Sequence, residues 1–199
     1  MSIIEKKIIA IGGVGVSPES DKELDNFIIN HSKKMKNNIG FLGTASKDDK
    51  EKINKFYKRF NNTSSELSHF NLTSDIDGFH EWLLNKDIVY VGGGNTFYML
   101  EIWKKNNLEQ VFKKAYEKGL ILSGVSAGAV CWFEWILSDS MGRGFEPLKG
   151  INLIEGSCTP HSDNIERINE FEFNIKNNKL PNGVAIDDGV AVVFIDGKP

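Results

Sequence analysis

The residue with the clearest potential for chemistry is Ser126, at the centre of the sequence Gly-Val-Ser-Ala-Gly at residues 124–128. This run matches the G-x-S-x-G pattern, in which a nucleophilic serine occupies a sharp turn between a strand and a helix. Small residues on both sides let the strained turn close, so that the hydroxyl projects from the carboxyl end of a sheet. The pattern predicts a serine nucleophile; the alternative is an ordinary turn in which the serine caps a helix.

A second loop at residues 92–96, Gly-Gly-Gly-Asn-Thr, also follows an apolar run. Consecutive glycines let a backbone approach a ligand closely and leave its N–H groups available. The loop lacks the Lys-Ser/Thr ending of a P-loop and the spacing of a dinucleotide-binding fingerprint. We therefore predict that the N–H of Gly93 or Gly94 is an oxyanion donor opposite Ser126. The alternative is a flexible turn between a strand and a helix.

His161 is the best placed of the four histidines to act as a general base. Pro160 restricts the chain immediately before it, and the loop follows an apolar run at residues 151–154. A catalytic base needs a well-held loop near the strand ends. The other histidines fit helix surfaces or a strand.

The third member of a triad should be a carboxylate that orients the imidazole. Asp188 lies in the sequence Asp-Asp-Gly after an apolar run and gives the chain order serine, histidine, acid. Asp139, downstream of the serine, is the main rival, and Asp187 and Glu134 are further candidates. Because Asp-Gly is a common turn pair, Asp187 and Asp188 could also simply form a turn.

Short apolar runs and helical stripes alternate along the chain and must position these residues. The runs at residues 8–11, 39–42, 88–91 and 120–122 predict buried strands. Continuously apolar strands separated by helices are typical of a mostly parallel sheet covered by helices on both faces. We predict this α/β architecture, with Ser126 on a nucleophile elbow.

The last third of the chain has a different pattern. Residues 127–136 are predicted to form an apolar helix behind the serine. Two β-branched runs, at residues 184–186 and 190–195, are separated by Asp-Asp-Gly and predict a C-terminal β-hairpin or a tight return. Since there is no internal repeat or linker, residues 1–199 are predicted to form a single domain.

Composition argues against several classes of function. Hydrophobic residues make up 40% and charged residues 26%, and the net charge of -3 provides no basic field for nucleic acid or an anionic membrane. No apolar run approaches the roughly 20 residues that span a bilayer. The two cysteines are far apart and are expected to be buried thiols. We expect no cofactor, no nucleic-acid or membrane partner, a cytoplasmic location, and a monomer or a homodimer.

In combination, these motifs resemble peptidase E, the family of α-aspartyl dipeptidases and their relatives. The resemblance rests on Val-Gly-Gly-Gly-Asn-Thr-Phe at residues 91–97, on residues 124–129 and on Pro160-His161, in the family's order and similar spacing. It covers nearly the whole chain. It implies the fold of class I glutamine amidotransferases and a serine peptidase that hydrolyses small peptides. Those amidotransferases use cysteine where this chain has Ser126, which argues against an amidotransferase role.

The resemblance also implies roles for single residues. Ser126 matches the nucleophile, His161 the base, and Gly94 and the N–H of Ala127 the oxyanion donors. The implied mechanism is acyl transfer through a covalent acyl-enzyme, without a metal or an organic cofactor.

The acid and the specificity depart from the family pattern. Asp188 falls where the family often has a glutamate, which is one methylene longer, and Asp139 remains the alternative because family members also carry an aspartate in that region. The loop after His161 is shorter than in aspartyl dipeptidases and lacks the arginine thought to pair with an N-terminal aspartate. Asp163 and Glu166 would repel such a side chain. The sequence therefore gives only weak support for a preference for an N-terminal aspartate.

Other specificities and functions are compatible with the same residues. Arg167 resembles a different, later family arginine, and Trp132 and Trp135 could shape a more apolar pocket. An esterase or amidase on the same triad is the rival enzyme. A catalytically silent ligand-binding or regulatory homologue is the rival from another class.

Overall fold

Two β-sheets organise the protein, and the computed structural model describes residues 4–14, 18–61 and 63–199. The strands are β1 (Lys7–Ile11), β2 (Asn38–Leu42), β3 (Glu66–Phe70), β4 (Ile88–Val91), β5 (Ile121–Val125), β6 (Phe133–Ser138), β7 (Glu146–Lys149), β8 (Ile154–Pro160), β9 (Gly183–Ile186) and β10 (Ala191–Ile195). One sheet has the order β10-β1-β5-β4-β2-β3, and the other has the order β7-β6-β8-β9. Within the larger sheet only β10 runs antiparallel to its neighbour.

Helices cover both faces of the larger sheet. They are α1 (Pro18–Asn30), α2 (Lys50–Phe60), α3 (Phe79–Leu84), α4 (Thr96–Lys105), α5 (Leu108–Glu117), α6 (Ala127–Val130) and α7 (Ile165–Lys176), with a short 3₁₀ turn at Thr44–Ser46. The predicted mostly parallel sheet flanked by helices is therefore confirmed. In the described part of the chain, each helix is too short or too polar to cross a membrane.

The central strands are buried because apolar clusters lie on both of their faces. Every residue of β4 and β5 is buried, as the continuous apolar runs predict. One cluster joins the sheet to α1 and α2, and the other joins it to α3, α4, α5 and the smaller sheet. The two cysteines, Cys131 and Cys158, are free and buried in the second cluster, which confirms their assignment as buried thiols.

The register of the larger sheet brings three loops together. Ile11 in β1 lies opposite Val125 in β5, and Val91 in β4 lies opposite Gly124. Because parallel strands end at the same edge, the segments that follow β1, β4 and β5 emerge side by side. Ser126, residues 92–94 and residues 12–14 are these segments.

The smaller sheet supplies a second set of loops. β8 and β9 are parallel, and Pro160 lies opposite Ile186. His161 and Asp187 therefore follow directly from neighbouring strand ends. An isolated parallel bridge between Gly13 and Asp188 joins this edge to the end of β1 in the larger sheet.

The predicted helix at residues 127–136 is wrong beyond its first turn. α6 ends at Val130, and β6 begins at Phe133. Aromatic and β-branched residues in this segment favour a strand, and pairing with β7 and β8 supplies the hydrogen bonds that a helix would otherwise make. The buried aromatic residues alone do not distinguish a helix from a strand.

The predicted C-terminal hairpin is also wrong, although the chain does turn tightly at Asp-Asp-Gly. β9 pairs with β8 in the smaller sheet, whereas β10 pairs with β1 in the larger sheet. The turn at residues 187–190 therefore passes from one sheet to the other. Turn-forming residues predict a reversal of the chain but do not determine which strands will pair.

A buried ion pair joins α1 and α2. Arg59 donates two hydrogen bonds to Asp25, with distances of 2.9 and 2.6 Å, and Asp25 is only 3% exposed. Burial raises the pKa of Asp25, and the facing Arg59 guanidinium only partly offsets that effect.

We expect Arg59→Met to lower the free energy of unfolding by about 3–5 kcal/mol, because it leaves a buried carboxylate without its partner. Urea unfolding would measure this change. Lys36→Met, which removes an exposed pair with Glu66, is the control and should leave the unfolding midpoint almost unchanged. Equal effects of the two substitutions would contradict a stabilising role for the buried pair.

Candidate active site

Ser126 lies on the tight turn between β5 and α6. Its backbone has φ 54° and ψ -115°, a conformation that costs a non-glycine residue roughly 1–3 kcal/mol. The N–H of Ser126 donates to the carbonyl of Ile11 at 2.9 Å, which ties the strained turn to β1. Because α6 is a single turn, it has little helix dipole. What it provides near Ser126 is backbone N–H groups that have no partner within the helix.

The glycine loop after β4 packs directly against Ser126. A Cβ on Gly93 would lie 3.3 Å from the Cβ of Ser126. Gly94 has φ 152°, and any side chain there would collide with the carbonyl oxygen of Ala45. Asn95 donates its N–H to that carbonyl at 2.8 Å, and its side chain accepts from Tyr98 N at 2.7 Å to cap α4. The loop is therefore held on both sides.

A lysine from α2 sets the orientation of the peptide between Gly93 and Gly94. The ammonium of Lys52 donates to the Gly93 carbonyl at 3.0 Å. In a trans peptide the C=O and N–H groups point in opposite directions, so this bond directs the Gly94 N–H away from Lys52. Neither this N–H nor that of Ala127 donates a hydrogen bond within the described residues. Both are available to a ligand.

His161 connects Ser126 to a carboxylate. Its Nε2 lies 2.9 Å from Ser126 Oγ, and its Nδ1 lies 2.5 Å from Asp188 Oδ1. An ionised carboxylate can only accept, so Nδ1 carries the proton and Nε2 is free to accept from the serine hydroxyl. His161 itself has φ 53°, the second strained non-glycine backbone among these residues.

Asp188 is held in place from two sides. Its backbone N–H donates to the carboxylate of Asp163 at 3.0 Å. On the other side it faces Gly13, where a Cβ would overlap Asp188 Oδ1 and lie 2.9 Å from His161 Nδ1. The missing side chain at Gly13 leaves the space that the imidazole and carboxylate occupy, and the shorter aspartate reaches the histidine.

The other candidate acids have different partners. Asp139, the alternative acid, pairs with Arg167 at 3.1 Å. Asp187 accepts a hydrogen bond from the hydroxyl of Ser162. Glu134 accepts from a backbone N–H at 3.4 Å. The structure therefore brings Asp188, and none of these three, to His161.

Two cavities flank Ser126 and His161, and both include Gly94 in their walls. The first, here called the aromatic cavity, has a volume of about 300 Å³ and lies against α2; its walls include Phe41, Phe56 and Tyr90. The second, here called the arginine cavity, has a volume of about 290 Å³ and lies against the smaller sheet; its walls include Asp139 and Arg167. In the described part of the chain, no group of three His, Cys, Asp or Glu side chains could hold a metal ion.

The predicted contribution of Trp132 to an apolar pocket is wrong. Trp132 is fully buried, and its ring packs against Trp103 and Phe112 with centroid distances of 5.8 and 5.5 Å. Trp135 packs against a separate small cluster that contains Leu137, and Trp135 itself lines neither cavity.

The chain matches the model of peptidase family S51 over residues 8–199. The Bacillus subtilis (strain 168) protein called uncharacterized peptidase YgaJ is 40% identical over 197 residues, which cover 96% of this chain and 84% of that protein. Uncharacterized peptidase Lin0382 from Listeria innocua serovar 6a (strain ATCC BAA-680 / CLIP 11262) is 24% identical over 176 residues, which cover 80% of each chain.

This chain belongs to peptidase family S51, the peptidase E family of serine peptidases. Solved structures agree with its fold. A candidate peptidase E protein from Listeria monocytogenes EGD-e superposes with a TM-score of 0.71 at 17% identity, covering 96% of this chain and 95% of that one. A peptidase from an acI-B1 Actinobacterium gives a TM-score of 0.68 at 19% identity, covering 94% and 82%.

Three features of this S51 peptidase are absent from the sequence prediction. Gly13 provides the space for the imidazole and carboxylate, and a glycine pair directly after the first strand was the only local signal for it. Lys52 contacts a carbonyl 41 residues away, and nothing in its own segment indicates this. The residues that line the aromatic cavity come from six separate segments, so no single sequence motif predicts it.

We expect Gly13→Ala to lower peptidase kcat by at least about a hundredfold, because the new methyl group displaces Asp188 or His161, and small misplacements of catalytic groups carry such costs. Steady-state kinetics would measure the loss. Met35→Ala, at a fully exposed residue outside both cavities, is the control and should keep full activity. Wild-type activity in Gly13→Ala would show that the peptidase does not depend on this close packing.

Proposed function

We propose that this S51 peptidase hydrolyses small peptides, including dipeptides, through a Ser126-His161-Asp188 triad and an acyl-enzyme. The observation that carries the proposal is the unbroken hydrogen-bond chain from Asp188 through His161 to Ser126, with distances of 2.5 and 2.9 Å. The 2.9 Å between Ser126 Oγ and His161 Nε2 falls within the range that proton transfer to a general base requires.

In the first half of the reaction His161 Nε2 takes the hydroxyl proton of Ser126 as the oxygen attacks the peptide carbonyl. Asp188 accepts the Nδ1 hydrogen bond, keeps the imidazole in the correct tautomer and stabilises its positive charge. The tetrahedral oxyanion accepts hydrogen bonds from the N–H groups of Gly94 and Ala127. Donors of this kind each contribute on the order of a hundredfold or more to the rate.

In the second half the imidazolium donates its proton to the leaving amine, and the C–N bond breaks. Ser126 then carries the acyl group as an ester. Water attacks this ester while His161 again accepts a proton, and breakdown of the second tetrahedral intermediate releases the carboxylic acid and restores the serine. Every proton in this cycle passes through one imidazole nitrogen.

The size of the site favours short substrates. The aromatic and arginine cavities, at about 300 and 290 Å³, lie at the low end of the roughly 300–1,000 Å³ typical of small-molecule sites. They lie on either side of Ser126, so a substrate with one residue in each cavity would place its central peptide bond at the nucleophile.

We expect an active-site-directed fluorophosphonate to label intact, folded protein rapidly at Ser126, since the phosphonate captures an activated serine. His161→Ala should slow labelling by roughly a thousandfold, because the hydroxyl loses its general base. Mass spectrometry of the labelled peptide would identify the site. His80→Ala, which changes an exposed histidine on α3, is the matched control and should label at the wild-type rate.

Failure to label folded wild-type protein would overturn the proposed mechanism and would favour a catalytically silent homologue. Labelling at another serine would overturn the choice of nucleophile.

The acid is tested by paired substitutions. We expect Asp188→Asn to lower kcat by about a thousandfold or more, because an amide cannot hold the imidazole in the required tautomer. Asp139→Asn should retain kcat within a few-fold, since Asp139 pairs with Arg167. Kinetics on one dipeptide substrate would compare the two variants. The reverse result would assign Asp139 as the acid.

A further inference from the structure

The aromatic cavity opens directly onto the catalytic groups but takes no part in the chemistry proposed for them. Ser126, His161 and the glycines at residues 92–94 form one end of it, and α2 and β2 form the other. A cavity that adjoins the nucleophile must hold whatever is attached to the scissile bond on that side. Its lining therefore determines which substrate residue is accepted there.

Four aromatic side chains line this cavity: Phe41, Phe56, Phe60 and Tyr90. Phe41 stacks on Phe56 with ring centroids 5.0 Å apart and on Tyr90 with centroids 6.3 Å apart. Burial raises the pKa of Tyr90 to about 12, so its hydroxyl stays neutral at physiological pH. Stacked rings of this kind favour an apolar side chain, because burying its surface removes it from water.

The charges around the same cavity are positive. Lys52, Lys55 and Arg59 line it, and no Asp or Glu does so among the described residues. The charge of Arg59 is balanced by Asp25, which accepts two hydrogen bonds from it. Lys52 is bonded to the Gly93 carbonyl. Lys55 is exposed on α2 and has no hydrogen bond or ion pair among the described residues, although its charge also acts on Asp25, so its ammonium is the one best placed to bind a negatively charged ligand.

The arginine cavity on the other side of Ser126 has a different balance. The carboxylate of Asp139 is 57% exposed there, next to the buried guanidinium of Arg167. A free dipeptide carries an ammonium group at one end and a carboxylate at the other. Among the described residues, the arginine cavity has one charge of each sign in its lining, whereas the aromatic cavity has cations and no carboxylate, so the carboxylate end of the dipeptide is favoured in the aromatic cavity.

We infer that the aromatic cavity is the subsite for the C-terminal residue of a dipeptide whose C-terminal side chain is apolar. The side chain lies on Phe41, Phe56 and Tyr90, and the free α-carboxylate lies near Lys55. This inference rests on the proposed peptidase function and adds to it the class of substrate. The residue bound here leaves as the free amino acid when the acyl-enzyme forms.

The inference predicts an order among substrates. Ala-Phe and Ala-Leu should exceed Ala-Gly in kcat/KM by roughly tenfold to a hundredfold, the factor expected from burying one large apolar side chain. Ala-Lys should be a poor substrate, since its ammonium would meet Lys55. The amide of Ala-Phe, which lacks the carboxylate, should have a KM about threefold to tenfold higher than Ala-Phe itself.

Two substitutions connect this order to the cavity. Lys55→Met should raise the KM for Ala-Phe to that of the amide while leaving kcat within twofold. Lys58→Met, one turn further along α2 and outside the lining, is the matched control and should change neither constant. Val14→Trp, at the half-exposed rim, should partly fill the cavity and lower the preference for Ala-Phe over Ala-Gly.

Protection against fluorophosphonate labelling separates failure of this inference from failure of the proposed function. Each dipeptide is added as a competitor, so its affinity is obtained whether or not it is hydrolysed. If the phosphonate labels Ser126 but Ala-Gly protects as well as Ala-Phe, or if Lys55→Met and Lys58→Met behave alike, the subsite assignment is wrong and the peptidase mechanism stands. If folded protein does not label at all, the mechanism itself is wrong.

Discussion

The site depends on one contact, the place where the edges of two sheets meet at Gly13 and Asp188. The two residues form an isolated bridge, and the N–H of Gly189 donates to the Gly13 carbonyl at 3.2 Å. Ser126 belongs to the larger sheet, whereas His161 follows the smaller one. Because the chain passes from β9 in the smaller sheet to β10, which pairs with β1, the chain itself connects the two edges.

Strain at the site is supported by ordinary backbone hydrogen bonds. Ser126 and His161 both have positive φ angles, which cost non-glycine residues roughly 1–3 kcal/mol each. The N–H of Ser126 is bound to Ile11 in β1, and the carbonyl of His161 accepts from Asn164, which caps α7. Each strained residue is therefore anchored to a strand or helix terminus. This explains how two unfavourable conformations can persist within hydrogen-bond distance of each other.

Asp163, one of the acidic residues after the histidine, has a structural role that the sequence does not indicate. Asp163 was expected to repel an acidic substrate, but its carboxylate accepts a hydrogen bond from the Asp188 backbone and so supports the acid. Charge near Ser126 comes instead from helix α2 on one side and from Asp139 with Arg167 on the other. One cavity beside the nucleophile is lined by cations, and the other is lined by one cation and one carboxylate. A difference in charge of this kind can determine the direction in which a short peptide binds.

The local features of the protein could be predicted from its sequence alone. Apolar runs ending in glycine predicted the buried strands, and the Gly-Val-Ser-Ala-Gly turn and Pro160-His161 predicted the residues now found 2.9 Å apart. These signals are local because backbone conformation and strand burial depend on neighbouring residues. Sheet membership was decided only by the tertiary structure: residues 133–138 became a strand, and β9 and β10 paired with different partners. Long-range pairing also decided which carboxylate reaches His161 and which side chains surround the nucleophile. These contacts join segments that are far apart in the sequence, and the local pattern of one segment does not indicate which other segment it will contact.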